Sequence, residues 1–174
     1  RNISGSAVTD LTGNANFPNN PSDQVFLGSF DGGSNQGDNY GSTIRGYLIP
    51  PTTGSYQFWI AGDNGGQLIL GTTDAQVSTP VIASVATSGA YAWDQQSSQA
   101  SALIPLTAGQ VYYIEARHKE SNYGDHLAVA WSGPGISRQV ILGSYLAPYD
   151  QNYAPKPSGT FTPLVVPFQV KTTS

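Results

Sequence analysis

The chain holds no cysteine and no methionine in 174 residues. The first absence removes disulfides, thiolate metal sites and cysteine nucleophiles together. Charge is scarce as well. Asp, Glu, Lys and Arg make up 10% of the chain, and its seven basic residues, spread singly, leave a formal net charge of −4. That balance excludes the basic stripe of a nucleic-acid binder and the polybasic patch of an anionic-membrane binder. No apolar run approaches the roughly 18 residues of a membrane span, no signal peptide is visible, and no long stretch places apolar residues at helical spacing. The chain opens on Arg1 rather than Met and is expected to be a piece of a longer protein.

Catalytic groups are equally thin. Glu115 and Glu120 are the two glutamates of the chain, and in a regular strand they point to opposite faces, not across a cleft as a glycosidase pair must. His118 and His126 show no metal-ligand spacing, and no serine stands in a nucleophile elbow. A non-enzymatic domain is expected, with His118 a hydrogen-bonded core histidine and Glu115 paired with a nearby arginine.

What is present in quantity is Gly (20), Pro (12), Tyr (10), Ser, Thr and Asn, in short apolar or alternating runs broken by turn residues every ten or so positions. This is the pattern of an all-β sandwich or barrel. Strands are predicted at 42–50, 54–62, 67–72, 81–85, 101–106, 110–119 and 126–133, with weaker ones near "NISGSAV" and "QVFLGSF". Period-two alternation puts Tyr112, Ile114, Ala116 and His118 on one face and Tyr113, Glu115, Arg117 and Lys119 on the other. Leu127, Val129 and Trp131 share a core face, and Trp59 is also expected to fill the core. One antiparallel domain over residues 1–150 is predicted. The Pro-rich remainder, 151–174, reads as an arm or linker, with "LVVPFQV" as a possible edge strand.

Two polar stretches stand out. "IAGDNGGQLIL" (60–70) reads as two strands joined by a tight hairpin turn at Asp63-Asn64-Gly65-Gly66, which alone is ordinary turn chemistry. "KESNYGD" (119–125) joins two strands expected to pair, and it gathers Glu120, Asn122 and Asp125 around Tyr123. Taken together, Asp63, Asn64, Glu120, Asn122, Asp125 and free backbone carbonyls are the hard oxygen donors that Ca²⁺ takes.

These stretches lie within two longer motifs, "GDNYGSTIRGYLIPPTTGSYQFWIAGDNGGQLIL" and "LTAGQVYYIEARHKESNYGDHLAVAWSGPG". In that order they resemble the protective-antigen-fragment (PA-fourteen) domain, a β-sandwich or β-barrel module of bacterial and fungal surface proteins and glycosidases. With a weaker match near "NISGSAVTDLTG", the resemblance covers about residues 1 to 147. In its sugar-binding members, two adjacent acidic residues joined by a cis peptide hold a Ca²⁺ that coordinates vicinal hydroxyls of a terminal sugar. The resemblance therefore implies a metal set of Asp63, Asn64 and Glu120, with backbone carbonyls near Asn122 and Gly124 and with Asp125 as the rival side chain. Ligand contacts are expected from Asp63, Asn64, Tyr123, Asp125, His126 and Trp93, although the Trp93 ring also suits packing. Asn64 departs from the acidic pair and leaves the turn one negative charge short, which Glu120 or Asp125 could restore.

The resulting expectation is a monomeric, extracellular or cell-surface bacterial module that binds terminal sugars of glycans or polysaccharide through Ca²⁺. The alternatives are a structural spacer or protein-contact domain, and an accessory domain of a secreted glycosidase.

Overall fold

The computed structural model describes residues 2–72 and 80–149, together with the backbone of residues 168–169. Its strands in chain order are β1 (Phe26–Leu27), β2 (Asp31–Ser34), β3 (Tyr40–Leu48), β4 (Gly54–Asp63), β5 (Gly65–Leu70), β6 (Val81–Val85), β7 (Ile104–Leu106), β8 (Tyr112–Glu120), β9 (His126–Gly133), β10 (Ile136–Val140), β11 (Leu146–Pro148) and β12 (Phe168–Gln169). Two five-stranded antiparallel sheets face each other. The first runs β10-β9-β4-β7, with β2 also pairing β9, and the second runs β11-β3-β8-β5-β6. A small ribbon pairs β1 with β12. Apart from that pair, the expected 151–174 arm lies outside the described residues.

The predicted alternation sets the interior. Tyr112, Ile114 and Ala116 of β8 meet Leu127, Val129 and Trp131 of β9 in one core with Phe30, Ile44, Leu68 and the inward residues of β4. Trp131 is fully buried between a stacked Tyr56 ring, 5.1 Å away, and an edge-on Tyr145 ring. Trp59 is buried as expected, but outside the central core. Its neighbours Phe58 and Ile60 point inward, so it lies on the outer face of the first sheet, under the Arg138 guanidinium. The outer face of the second sheet is also dry. Tyr113, Glu115 and Lys119 are all buried, with Glu115 accepting from both Tyr113 and Arg117.

Covering that face is the N-terminal segment, where a weak strand was expected and a short helix, α1 (Val8–Thr12), forms instead. Gly5 breaks any strand at φ 91°, and the Asp10 carboxylate accepts the Ala7 N–H at the helix start. Val8 and Leu11, three apart, then face the sheet. The buried Lys119 ammonium donates to the Gly5 carbonyl at 2.7 Å and to that of Glu120, which ties the segment down.

The largest correction concerns connectivity. Neither "IAGDNGGQLIL" nor the segment across "KESNYGD" is a hairpin. β4 and β9 pair within the first sheet, and β5 and β8 within the second. Both polar stretches are therefore crossings from one sheet to the other, and they lie side by side at one end of the sandwich. Asp63 is opposite His126, and Gly65 is opposite Lys119.

Packing near Trp131 gives a direct test. A methyl built on Gly133 runs into the Tyr56 ring, which its stack on Trp131 leaves little room to move. Gly133→Ala is expected to cost about 1–3 kcal/mol of stability, seen as a lower urea midpoint at unchanged slope. A loss below about 0.5 kcal/mol would show that this corner of the core yields freely.

Candidate functional site

The two crossings are laced together by hydrogen bonds that use the backbone of one and side chains of the other. His118 is buried beneath the 63–64 peptide, and its Nε2 lies 2.7 Å from the Asp63 carbonyl oxygen. A carbonyl only accepts, so Nε2 carries the proton. Burial pushes the His118 pKa down to about 4, which keeps the ring neutral. The Asn64 Oδ1 accepts from both the Ser121 N–H and the Ser121 hydroxyl, each at 2.9 Å. These donors fix the amide orientation and turn the Asn64 Nδ2 toward the Asp63 Oδ1 at 3.2 Å. The Asp63–Asn64 peptide bond is cis.

Around this frame the structure brings together Asp63, Glu120, Asp125 and His126. Glu120 is wholly buried, and neither carboxylate oxygen has a hydrogen-bond partner among the described residues. Its pKa is pushed up to about 7, first by burial and then by the negative charges of Asp63 and Asp125. The Asn64 N–H faces Glu120 and opposes the rise without meeting hydrogen-bond geometry. Asp125, also buried, anchors one oxygen in a backbone nest: its Oδ2 accepts from the Gln36 N–H at 2.6 Å and the Gly37 N–H at 3.1 Å. Its Oδ1 is buried without a partner among the described residues, as is the His126 Nε2. Burial lowers the His126 pKa, against the pull of Asp63, the Gly89 carbonyl, Asp125 and Asp31.

The remaining candidates are more dispersed. Asn122, Tyr123 and Gly124 form the exposed tip of the second crossing, where Tyr123 is 86% exposed at φ 78° and its N–H donates to Asp38. Trp93 lies in a separate loop, half-buried, with its ring 6.1 Å from that of Tyr91. The exposed Tyr91 hydroxyl donates to Asp31 at 2.8 Å, beside the His126 that Asp31 influences.

Several contributors had no legible signal. The 31–39 loop wraps the second crossing, with the Asn35 N–H on the Asp125 carbonyl and the Asn39 N–H on that of Ser121. Thr87 donates its hydroxyl to the Asp63 Oδ1 at 2.7 Å, and the Ser88 N–H bonds the Gly62 carbonyl at 2.8 Å. In the sequence these were polar turn residues like many others.

The chemistry of the donors suits a hard divalent cation. The negative charges of Asp63 and Asp125 bear on the buried Glu120 carboxylate, and among the described residues both Glu120 oxygens and the Asp125 Oδ1 lack the donors that buried carboxylates normally find. Among the described residues, no group of three or more His, Cys, Asp or Glu side chains makes a metal set by itself. A cation here would also draw on amide, backbone or ligand oxygens.

A family model described as PA14 domain matches residues 4–143. The N-acetyl-beta-glucosaminyl-glycoprotein 4-beta-N-acetylgalactosaminyltransferase 1 of Mus musculus is 29% identical over 153 residues, which is 83% of this chain and 15% of that protein. The chain thus spans about one seventh of the length of that relative. Among solved structures, an anti-sigma factor domain-containing protein from Clostridium clariflavum aligns with a TM-score of 0.57 at 20% identity, over 77% of this chain and 45% of that one. The PA14 sugar-binding domain from an RTX adhesin aligns with a TM-score of 0.56 at 17% identity, over 79% of this chain and 85% of that one. At such identities the likeness carries the fold. With its family match running through both crossings, the chain belongs to the PA14 domain family.

Proposed function

We propose that this domain is a non-catalytic carbohydrate-binding module whose site is completed by Ca²⁺, working at the cell surface or outside the cell. The observation that carries the reading is the orphaned carboxylate of Glu120, buried beside the equally orphaned Oδ1 of Asp125. A buried anion without donors is costly, and a cation is the partner that removes the cost. Asp63, Glu120 and Asp125 would hold the ion, with carbonyls of the 121–124 tip within the same loop. The Asn64 oxygen is engaged by Ser121, so Asn64 shapes the crossing and would ligate only by sharing that oxygen. Bound there, Ca²⁺ would supply open coordination positions for two neighbouring sugar hydroxyls. His126 offers a ring nitrogen to a third hydroxyl, and Tyr123 and Trp93 offer ring faces to the sugar.

The likeness to a sugar-binding adhesin domain supports the ligand class. A shallow site of this kind is expected to bind a monosaccharide at roughly millimolar Kd, about −4 kcal/mol, and to gain strength by avidity. The competing reading is a spacer or protein-contact domain, favoured by the Asn64 oxygen being turned onto Ser121.

A calcium-dependent melt separates the two. At a hundredfold excess over Kd, Ca²⁺ should add about 2.7 kcal/mol, raising Tm by roughly 5–10 °C for a domain of this size. Chelator should reverse the rise, and superimposed melts would remove the cation site.

Glu120→Gln keeps the side-chain shape and deletes the charge. The metal-free protein should become more stable, on the order of 1 kcal/mol, while the calcium response disappears. A destabilised variant that still responds to calcium would show that Glu120 is structural.

The ligand class is read on a glycan array in Ca²⁺ against the same array in chelator. Binding should require calcium and be lost in Asp63→Ala. Silence across all glycans would favour the spacer.

A further inference from the structure

Between β6, at the edge of the second sheet, and β7, at the edge of the first, the chain runs beside β4. The Ser88 N–H bonds the Gly62 carbonyl, the Ser101 N–H bonds that of Phe58, and Ala100 bridges Trp59. The loop between these points carries the sequence "WDQQSSQ" (93–99), whose three glutamines brace it from within. The Gln99 side chain is fully buried and fully used. Its Nε2 donates to the carbonyls of Ile60 and Ala92, and its Oε1 accepts the Gln96 N–H at 2.8 Å. Gln95 accepts the Gly89 N–H at 2.7 Å. Gln96 reaches back across the loop mouth, where its Oε1 accepts the Ala86 N–H at 3.1 Å and its Nε2 donates to the Thr87 carbonyl. The backbone partners fix each amide's orientation, because an N–H needs the oxygen and a carbonyl needs the nitrogen.

Thr87, gripped in this way, donates its hydroxyl to the Asp63 Oδ1. We propose that Gln96, seated by the buried Gln99, is a positioning residue for the cation site, acting on the Asp63 carboxylate through Thr87. The physical basis is rotational freedom. Asp63 is only half-buried at a sheet crossing, and its carboxylate turns easily unless one oxygen is held. The Thr87 hydroxyl, at 2.7 Å, is the shorter of the two bonds on that oxygen, the other coming from the Asn64 Nδ2 at 3.2 Å, and the Gln96 clasp keeps Thr87 from leaving with the loop. A donor pinned before the ion arrives loses less entropy on ligation, which is how partners behind the ligands raise metal affinity. This inference rests on the cation-site reading given above.

The test is a double-mutant cycle read with Ca²⁺ alone by titration calorimetry, on wild type, Thr87→Val, Gln96→Met and the double variant. Thr87→Val should weaken calcium about tenfold, and Thr87→Ser should retain wild-type affinity. Gln96→Met keeps the side-chain length, and it should weaken calcium by a similar factor in the wild-type background. In the Thr87→Val background it should have no further effect, since the path it acts through is gone. In metal-free protein, hydrogen exchange at the Ala86 amide should accelerate in Gln96→Met while β4 and β9 amides keep their protection. Fully multiplicative losses, or a Gln96→Met affinity within twofold of wild type, would overturn the positioning role while leaving the cation site intact. A wild-type chain that takes up no calcium would overturn both.

Discussion

The chain crosses between its sheets twice at one end, and the strands on either side of both crossings are paired with each other. β4 is locked to β9 and β5 to β8, so the peptide at 63–64 and the loop at 121–125 cannot separate without unzipping a sheet. Every close interaction of the site follows from this constraint. His118 reaches the Asp63 carbonyl because Gly66, its partner across the pair, lies three residues past Asp63. Ser121 meets Asn64 because each follows the last paired residues of its strand. Two further segments, 31–39 and 86–99, are also tied to these crossings by hydrogen bonds, the first besides the pairing of β2 with β9 and the second besides the Gln99 bond to the Ile60 carbonyl.

Electrostatically the domain is quiet almost everywhere. With charged residues at 10% of the chain, ion pairs among the described residues are few, such as Arg117 with Glu115 and the bidentate pair of Arg138 with Asp94. Against that background the gathering of Asp63, Glu120 and Asp125 is the exception. The buried ammonium of Lys119 is turned to the opposite face of its strand and spent on carbonyls of Gly5 and Glu120. The fold thus places a cation next to the acidic cluster in sequence while directing it away in space. Natural domains break their own packing rules chiefly where they function, and this end of the sandwich is where the breach is concentrated.

Much of this was legible in the residues. Alternation fixes which face of β8 and β9 is interior, and the strand limits at 81–85 and 126–133 coincide with those in the structure. Partner choice was not legible, because a period of two says which side a residue faces and nothing about which strand lies beside it. Two apolar strands around "DNGG" look like a hairpin whether or not they pair. The short strands β10 and β11 escaped notice because "ISRQV" and "LAP" carry little alternation, and α1 because five residues hold only one turn of pattern. At the site, the carboxylates were visible as donors by type. The roles of Thr87, Gln96 and Gln36 were not, since a loop polar group that bonds backbone far along the chain looks the same as one that bonds water.

The two sheet registers also carry a consequence for folding. Asp63 faces His126 through one sheet, and Gly65 faces Lys119 through the other. A slip of one residue in either sheet would send the acidic side chains to opposite faces and scatter the cluster. Such a molecule would keep nearly all its strand content and still lack a place to bind. The fraction of a preparation competent at this end therefore measures how faithfully both sheets have found their alignment, a quantity that bulk secondary structure does not report.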